Sequence, residues 1–232
     1  MDVIRLVRIL VGKPRDLGGD GAPTWRSGIC KEPVDGPVWL GKTNLSGDGQ
    51  ADLKHHGGSD KAVLAYAEAH YPRWQKELGL PRFFHGATGE NFVIAHQTEE
   101  SVCIGDTYRI GGAVVQVSQP RQPCWKPARR WGIKDLALRM QDTGRTGWYY
   151  RVLEEGYVEA GMEAVLLDRP YPHWTIARCN EIMHHRRGDR EAAAQLAACP
   201  LLSESWVRTL TRRVEKGIHP NTRNRLYGPD DG

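Results

Sequence analysis

Over roughly the first 170 residues the apolar positions come mostly in short runs, not at helical spacing. Residues 3–11 (VIRLVRILV) form such a run and end at Gly12, which predicts a buried strand. Residues 37–40, 91–95, 149–153 and 164–168 predict further strands. The clearest local pattern is residues 107–110 and 113–118 on either side of Gly111-Gly112. Such a glycine pair supplies the positive φ that a tight hairpin turn requires. Two helices interrupt the strands. One covers residues 68–78 and stops at Gly79, with Pro72 moving its start toward Tyr71; the other covers residues 134–140. Many short strands with Gly and Pro turns predict a closed barrel or a sandwich.

Pro170-Tyr171-Pro172 reads as a linker, and beyond it the apolar period changes to 3.6. Three helices fit: residues 175–187, residues 189–198 capped by Asp189, and residues 203–215 opened by Ser203-Glu204. The organisation expected is a β-rich domain over 1–170, a three-helix module over 171–220 and a flexible tail over 221–232. No repeat or low-complexity segment is present.

Composition narrows the classes. A chain of 232 residues, 40% hydrophobic and 26% charged, has an ordinary globular make-up and can bury a core without staples. No apolar run reaches the roughly 20 residues that span a bilayer, and the N-terminus lacks a secretion signal. A cytoplasmic protein is therefore expected. Five scattered cysteines form no Cys-x-x-Cys pair, so neither a zinc ribbon nor a disulfide framework is indicated. The net charge of +4 is too weak to argue for nucleic acid, though it suits an anionic small molecule.

Three clusters carry chemistry. The first runs from Gly47 to Lys61 and interleaves glycines with Asp48, Asp52, His55 and His56. Its glycines let backbone N–H groups approach an anion, but it is neither a dinucleotide fingerprint nor a Walker loop. Adjacent histidines rarely point at one metal, so a zinc site at Asp52, His55 and His56 is disfavoured. The second runs from Ser118 to Arg130. Cys124 lies there between prolines, with Arg121, Lys126, Arg129 and Arg130 within six positions. Nearby cations favour a thiolate, the form that serves as nucleophile or soft-metal ligand. The third, Gly86 to Phe92, places Glu90 and Asn91 at the mouth of a strand. Residues 196–210, with Pro200 between two helical stretches, vaguely suggest a helix-turn-helix with Arg208, Arg212 and Arg213. Arginines at helical spacing usually form a solvated face.

Taken in order, four segments resemble the MOSC domain, the molybdenum-cofactor-sulfurase C-terminal domain. They are Gly47-Asp48-Gly49-Gln50-Ala51-Asp52, His56-Gly57-Gly58-Ser59-Asp60-Lys61-Ala62-Val63, Gly89-Glu90-Asn91-Phe92 and Pro120-Arg121-Gln122-Pro123-Cys124-Trp125-Lys126. Their spacing is similar to the small bacterial YiiM-like branch, which also carries a C-terminal three-helix module. The resemblance implies a β-barrel like the small barrel domain of pyruvate kinase, with flanking helices. It implies molybdenum cofactor (molybdopterin), with Cys124 as the molybdenum ligand and catalytic residue. Lys31, Arg121 and Lys126 would meet the pterin or its phosphate, and His56, Gly57 and Asn91 would lie with them in the cofactor-binding motifs.

The activity implied is reduction of N-hydroxylated compounds: hydroxylaminopurine-type base analogues, N-hydroxylated amines and amidoximes. No flavin, haem, iron–sulfur or pyridoxal phosphate signature accompanies the motifs, so electrons would come from a separate reductase. A homodimer is compatible with the sequence. The alternative is a non-catalytic carrier of the cofactor or of labile sulfur on Cys124. A nucleic-acid module using the helical tail ranks below both.

Overall fold

The computed structural model describes residues 3–19 and 22–229. The chain opens with β1 (Arg5–Val11), the hairpin β2 (Arg15–Gly19) and β3 (Ala22–Ser27), and the short strands β4 (Glu32–Pro33) and β5 (Val38–Leu40). A one-turn helix α1 (Leu53–His56) leads to β6 (Val63–Ala67), helix α2 (Tyr71–Leu78) and β7 (Phe92–Ala95). Then come β8 (Thr107–Ile110), β9 (Ala113–Pro120), α3 (Trp125–Trp131) and α4 (Leu136–Asp142). Strands β10 (Trp148–Glu154), β11 (Gly156–Val158) and β12 (Ala164–Asp168) complete the β-rich part. The C-terminal part holds α5 (Ile176–Asn180), α6 (Arg190–Ala197), α7 (Glu204–Lys216) and α8 (Arg223–Tyr227).

Eight strands form one sheet in the order β12-β8-β9-β10-β6-β7-β1-β4. The sheet curls until β1 meets the start of β12. There Leu6 N donates to Met162 O at 2.9 Å and Ala164 N donates to Ile4 O at 2.9 Å. This is the barrel architecture expected, closed at one seam by a short bridge. Its neighbours pair antiparallel except β6 and β7, which are parallel. A parallel pair needs a long crossover, and α2 lies within it. Every residue of β6 and β7 is buried because both faces are covered. Val63, Ala65, Phe92 and Ile94 point into the barrel core. Tyr66 and Val93 point outward onto Tyr71 and Trp74 of α2 and Leu136 and Met140 of α4.

The barrel core runs without a break into the C-terminal helices through Trp174, Ile176, Leu196, Trp206 and Leu210. Backbone bonds from Ile176 N to Val102 O and from Ser203 N to Ser118 O tie the two parts together. The Gly111 turn has positive φ as expected, and Gly79 caps α2 in the left-handed region.

Residues 68–70 form a 3-10 turn and the α-helix starts at Tyr71, the start toward which Pro72 pointed. Other elements differ from the expectation. The expected helix over residues 175–187 ends at Asn180 and passes into a π turn over Glu181–His185. Arg213 donates to the carbonyls of Ile182 and Met183 at 2.7 and 2.8 Å and draws on groups that would otherwise serve the helix. Arg213 is thus buried in the module and not presented on a recognition face. The segment after Cys124, for which the sequence pattern predicted no helix, forms α3; its Pro127 lies in the first turn, where a missing N–H is harmless. The expected flexible tail contains α8, whose Arg225 bonds Pro123 O and Gln141 Oε1; residues 230–232 lie outside the described residues.

Candidate active site

The site forms where β9 ends. Cys124 is the extended residue that precedes α3. Three residues earlier, Arg121 is buried and donates Nη2 to Thr88 O at 2.8 Å. Its Nη1 is buried without a partner among the described residues. The Thr88 loop is shaped by Glu90, a fully buried carboxylate. Glu90 accepts from Gly86 N, from Thr88 N at 3.0 Å, from Thr88 Oγ1 at 2.7 Å and from Tyr71 OH. Arg130, counted above among the cations around Cys124, instead bonds Ile29 O and Gly86 O and holds two loops together.

The floor is a second polar network. The Asp48 side chain has no solvent exposure and pairs with the Lys31 ammonium. It also accepts from Gly12 N at 2.9 Å and from Asn91 Nδ2 at 2.9 Å. Burial lowers the Lys31 pKa, and the Asp48 carboxylate opposes that shift. Asn91 spends its remaining capacity on Leu10 O and Leu64 N, so it braces β1, β6 and β7. Backbone segments approach closely here: a Cβ on Gly28 would meet Gly49 O at 2.3 Å, and one on Gly89 would meet Ile29 Cγ1 at 2.8 Å. A narrow inner cleft results, lined by Lys31, Asn91, Arg121, Cys124, Lys126 and His56.

A wider outer cavity of about 580 Å³ opens on the other side of Cys124. Cys124, Lys126, His56, Lys61 and Tyr149 line both spaces. The outer wall comes from α7 and α8, through Ser205, Arg208, Thr209, Asn224 and Arg225. His56 is pushed down to about 3, first by burial and then by Lys126; Asp52 opposes the shift. Its imidazole is therefore neutral at pH 7 and can accept or donate one hydrogen bond. Burial pushes the Tyr149 phenol up to about 12, so it keeps its proton.

Six of the seven residues singled out for the site (Lys31, His56, Asn91, Arg121, Cys124 and Lys126) thus meet in one cleft. Gly57 does not line it; its N–H donates to Leu53 O at 3.2 Å and closes α1. His55 turns away from His56 and pairs with Asp52 at 2.9 Å. Among the described residues, no group of three or more His, Cys, Asp or Glu side chains could hold a metal. Tyr149 and the pairing of Lys31 with Asp48 were not marked by the sequence, whereas Lys61 lies in the first cluster. Tyr149 sits in an ordinary strand pattern, and the pair joins residues 17 apart that the sequence does not link.

One thiol with no neighbouring ligand set suits a metal that arrives within its own chelating cofactor. An orphaned guanidinium nitrogen in the cleft that Lys31 also lines suits an anionic group on that cofactor. The close backbone approaches leave room for flat or phosphate-bearing groups where side chains would clash. The residues present therefore fit molybdopterin.

Comparison with known proteins agrees with this geometry. Residues 52–165 match the MOSC domain and residues 174–217 match the YiiM-like 3-alpha helix domain. The chain is 44% identical over 206 residues to YflK of Bacillus subtilis, covering 89% of this chain and 92% of that protein. It is 38% identical over 178 residues to a protein of Gibberella moniliformis named Reductase, covering 75% of this chain and 32% of that one. The crystal structure of YiiM from Geobacillus stearothermophilus superposes with a TM-score of 0.77 at 39% identity, covering 91% of this chain and 99% of that one. A barrel with a cysteine at the end of β9, joined by a shared core to this particular helical module, places the chain in the MOSC family, on its YiiM-like branch.

Proposed function

We propose that the protein is an oxidoreductase that binds molybdopterin through Cys124 and reduces N-hydroxylated compounds to the corresponding amines. The observation that carries this reading is the position of Cys124 at the junction of two cavities, one cationic and narrow, one wide. The Cys124 thiolate would hold the metal, with Arg121 and Lys31 toward the anionic part of the pterin. When bound, the cofactor would supply two-electron redox chemistry. The protein supplies orientation and protons. Conversion of N–OH to N–H and water consumes two electrons and two protons. Tyr149 keeps its phenolic proton at neutral pH and offers a hydrogen-bond donor at the Cys124 end of the outer cavity. His56, neutral, offers one hydrogen-bond donor and one acceptor beside it. Electrons enter from a separate reductase. The Gibberella moniliformis relative named Reductase supports the redox class.

The test is turnover of a hydroxylaminopurine with a chemical electron donor, followed by chromatography of the amine. Product from the molybdenum-loaded wild type, and none from Cys124→Ala, is expected. A loaded wild-type protein that makes no amine from any N-hydroxylated substrate would move the assignment to a carrier of cofactor.

A further inference from the structure

The outer cavity has a charge pattern that reduction of a neutral molecule does not require. Among the described residues, five cations line it: Lys54, Lys61, Lys126, Arg208 and Arg225. The one lining carboxylate among the described residues, Asp52, is already engaged by His55 N at 3.1 Å and His55 Nδ1 at 2.9 Å. Two of the cations also have protein partners: Lys61 donates to His55 O at 2.8 Å, and Arg225 bonds Pro123 O and Gln141. Lys126 borders the inner cleft as well. That leaves Lys54 from α1 and Arg208 from α7, which reach one cavity from opposite ends of the sequence. Lys54 has no ion pair among the described residues. Arg208 has only a 3.5 Å contact to Glu204, with both side chains mostly exposed, so the guanidinium fork is available. Arg208 also acts through space on Lys61, adding to the lowering that burial imposes there. The Asn224 amide on α8, likewise without a partner among the described residues, faces the same space.

Converging cations at the edge of a cleft raise the local concentration of an anion and hold it. A volume of about 580 Å³ lies in the range of sites for whole small ligands and exceeds what a bare purine base fills. We infer that the outer cavity takes a phosphate monoester of nucleoside size. Its reducible nitrogen would lie at the Cys124 end, and its phosphate would meet Lys54 and Arg208 at the helical wall. This deepens the reductase reading and rests on it for the word substrate. It also accounts for the three-helix module, because one of its helices supplies the phosphate contact. The compound then arrives already phosphorylated, as the product of a kinase-type or phosphoribosyl-transfer reaction.

The test is equilibrium binding of adenosine 5′-monophosphate and of adenosine to the full-length protein. The proteins compared are wild type, Lys54→Ala/Arg208→Ala and Arg121→Ala. The monophosphate should bind wild type about tenfold more tightly or better. The double variant should lose that preference, and Arg121→Ala should keep it. Equal affinities, or no binding of either compound, overturn the inference. So does a preference lost only in Arg121→Ala, which would put the phosphate in the inner cleft. The cations could instead serve a nucleotide carried by the cofactor. Mass analysis of the extracted pterin separates the two: a plain pterin monophosphate fits the inference, and a nucleotide-extended pterin overturns it. None of these readouts needs turnover. A chain that keeps the phosphate preference but never reduces an N–O bond would defeat the reductase reading and leave the anion site standing.

Discussion

The floor of the site and its outer wall satisfy their polar groups in different ways. On the floor, Asp48, Asn91 and Glu90 each bond several protein groups, and Lys31 is paired. At the outer cavity, Arg208 of the α7 wall and Lys54 of α1 are exposed and have few or no partners among the described residues. A saturated buried network holds one geometry, whereas exposed cations adapt to what arrives. The difference teaches where stability and where binding energy reside. Floor residues should matter to folding before they matter to chemistry, and the exposed cations Arg208 and Lys54 should matter to ligands alone.

The largest effect should come from breaking the floor. Asp48→Ala leaves the Lys31 ammonium buried and unpaired, and such losses cost ~3–5 kcal/mol. Denaturant unfolding should show that drop. Replacing both partners with apolar residues of similar size should recover much of it. An Asp48→Ala protein as stable as wild type would erase the contrast between floor and wall.

A smaller effect is expected where the wall clasps the site. Arg225→Ala removes charged hydrogen bonds to Pro123 O and Gln141, worth ~1.5–3 kcal/mol each at most. Limited proteolysis should then cut faster within residues 217–229 while the barrel stays intact. A tail that resists protease equally in both proteins would show that α8 is held by other contacts.

His56 and His184 are both held near 3 in the folded chain, against 6.5 for a free imidazole. Between those values the unfolded chain binds protons that the folded one excludes. Stability contributed by these groups is therefore full above about 6.5 and falls as the pH drops toward 3. Imidazole resonances followed by NMR should show both rings neutral at pH 5. Lys126→Ala should raise the His56 value, because Lys126 adds to its lowering. A His56 that titrates near 6.5 in wild type would mean it is not enclosed among the cations. The smallest effect belongs to the wall cations themselves: Arg208→Ala and Lys54→Ala should shift unfolding free energy by less than about 0.5 kcal/mol.

The sequence was most legible where structure is local. The β8–β9 hairpin, the Gly79 cap of α2 and the Asp189 and Ser203 caps follow from neighbouring residues alone. Cys124 was legible too, because its cations and prolines lie within a few positions. The less legible features depend on distant partners. Helix α3 has only seven residues and a proline. It is supported from outside, by Trp131 Nε1 donating to Ala87 O and by the Trp125 ring against Trp25. The π turn depends on Arg213, about 30 residues further along the chain. Asn91 was placed among cofactor contacts by its motif, yet the structure commits its amide to holding three strands. The outer wall could not be read at all, since it exists only once α7 and α8 fold back over Cys124.

The measurement that tests the account most directly is the molybdenum content of the purified protein, made in cells with an intact supply of the cofactor. Wild type, Cys124→Ala, Arg121→Ala and Arg208→Ala are compared after their folding is checked by circular dichroism. The account predicts near-stoichiometric molybdenum in wild type and in Arg208→Ala, a reduced amount in Arg121→Ala and none in Cys124→Ala. A folded Cys124→Ala protein that keeps its molybdenum would contradict it.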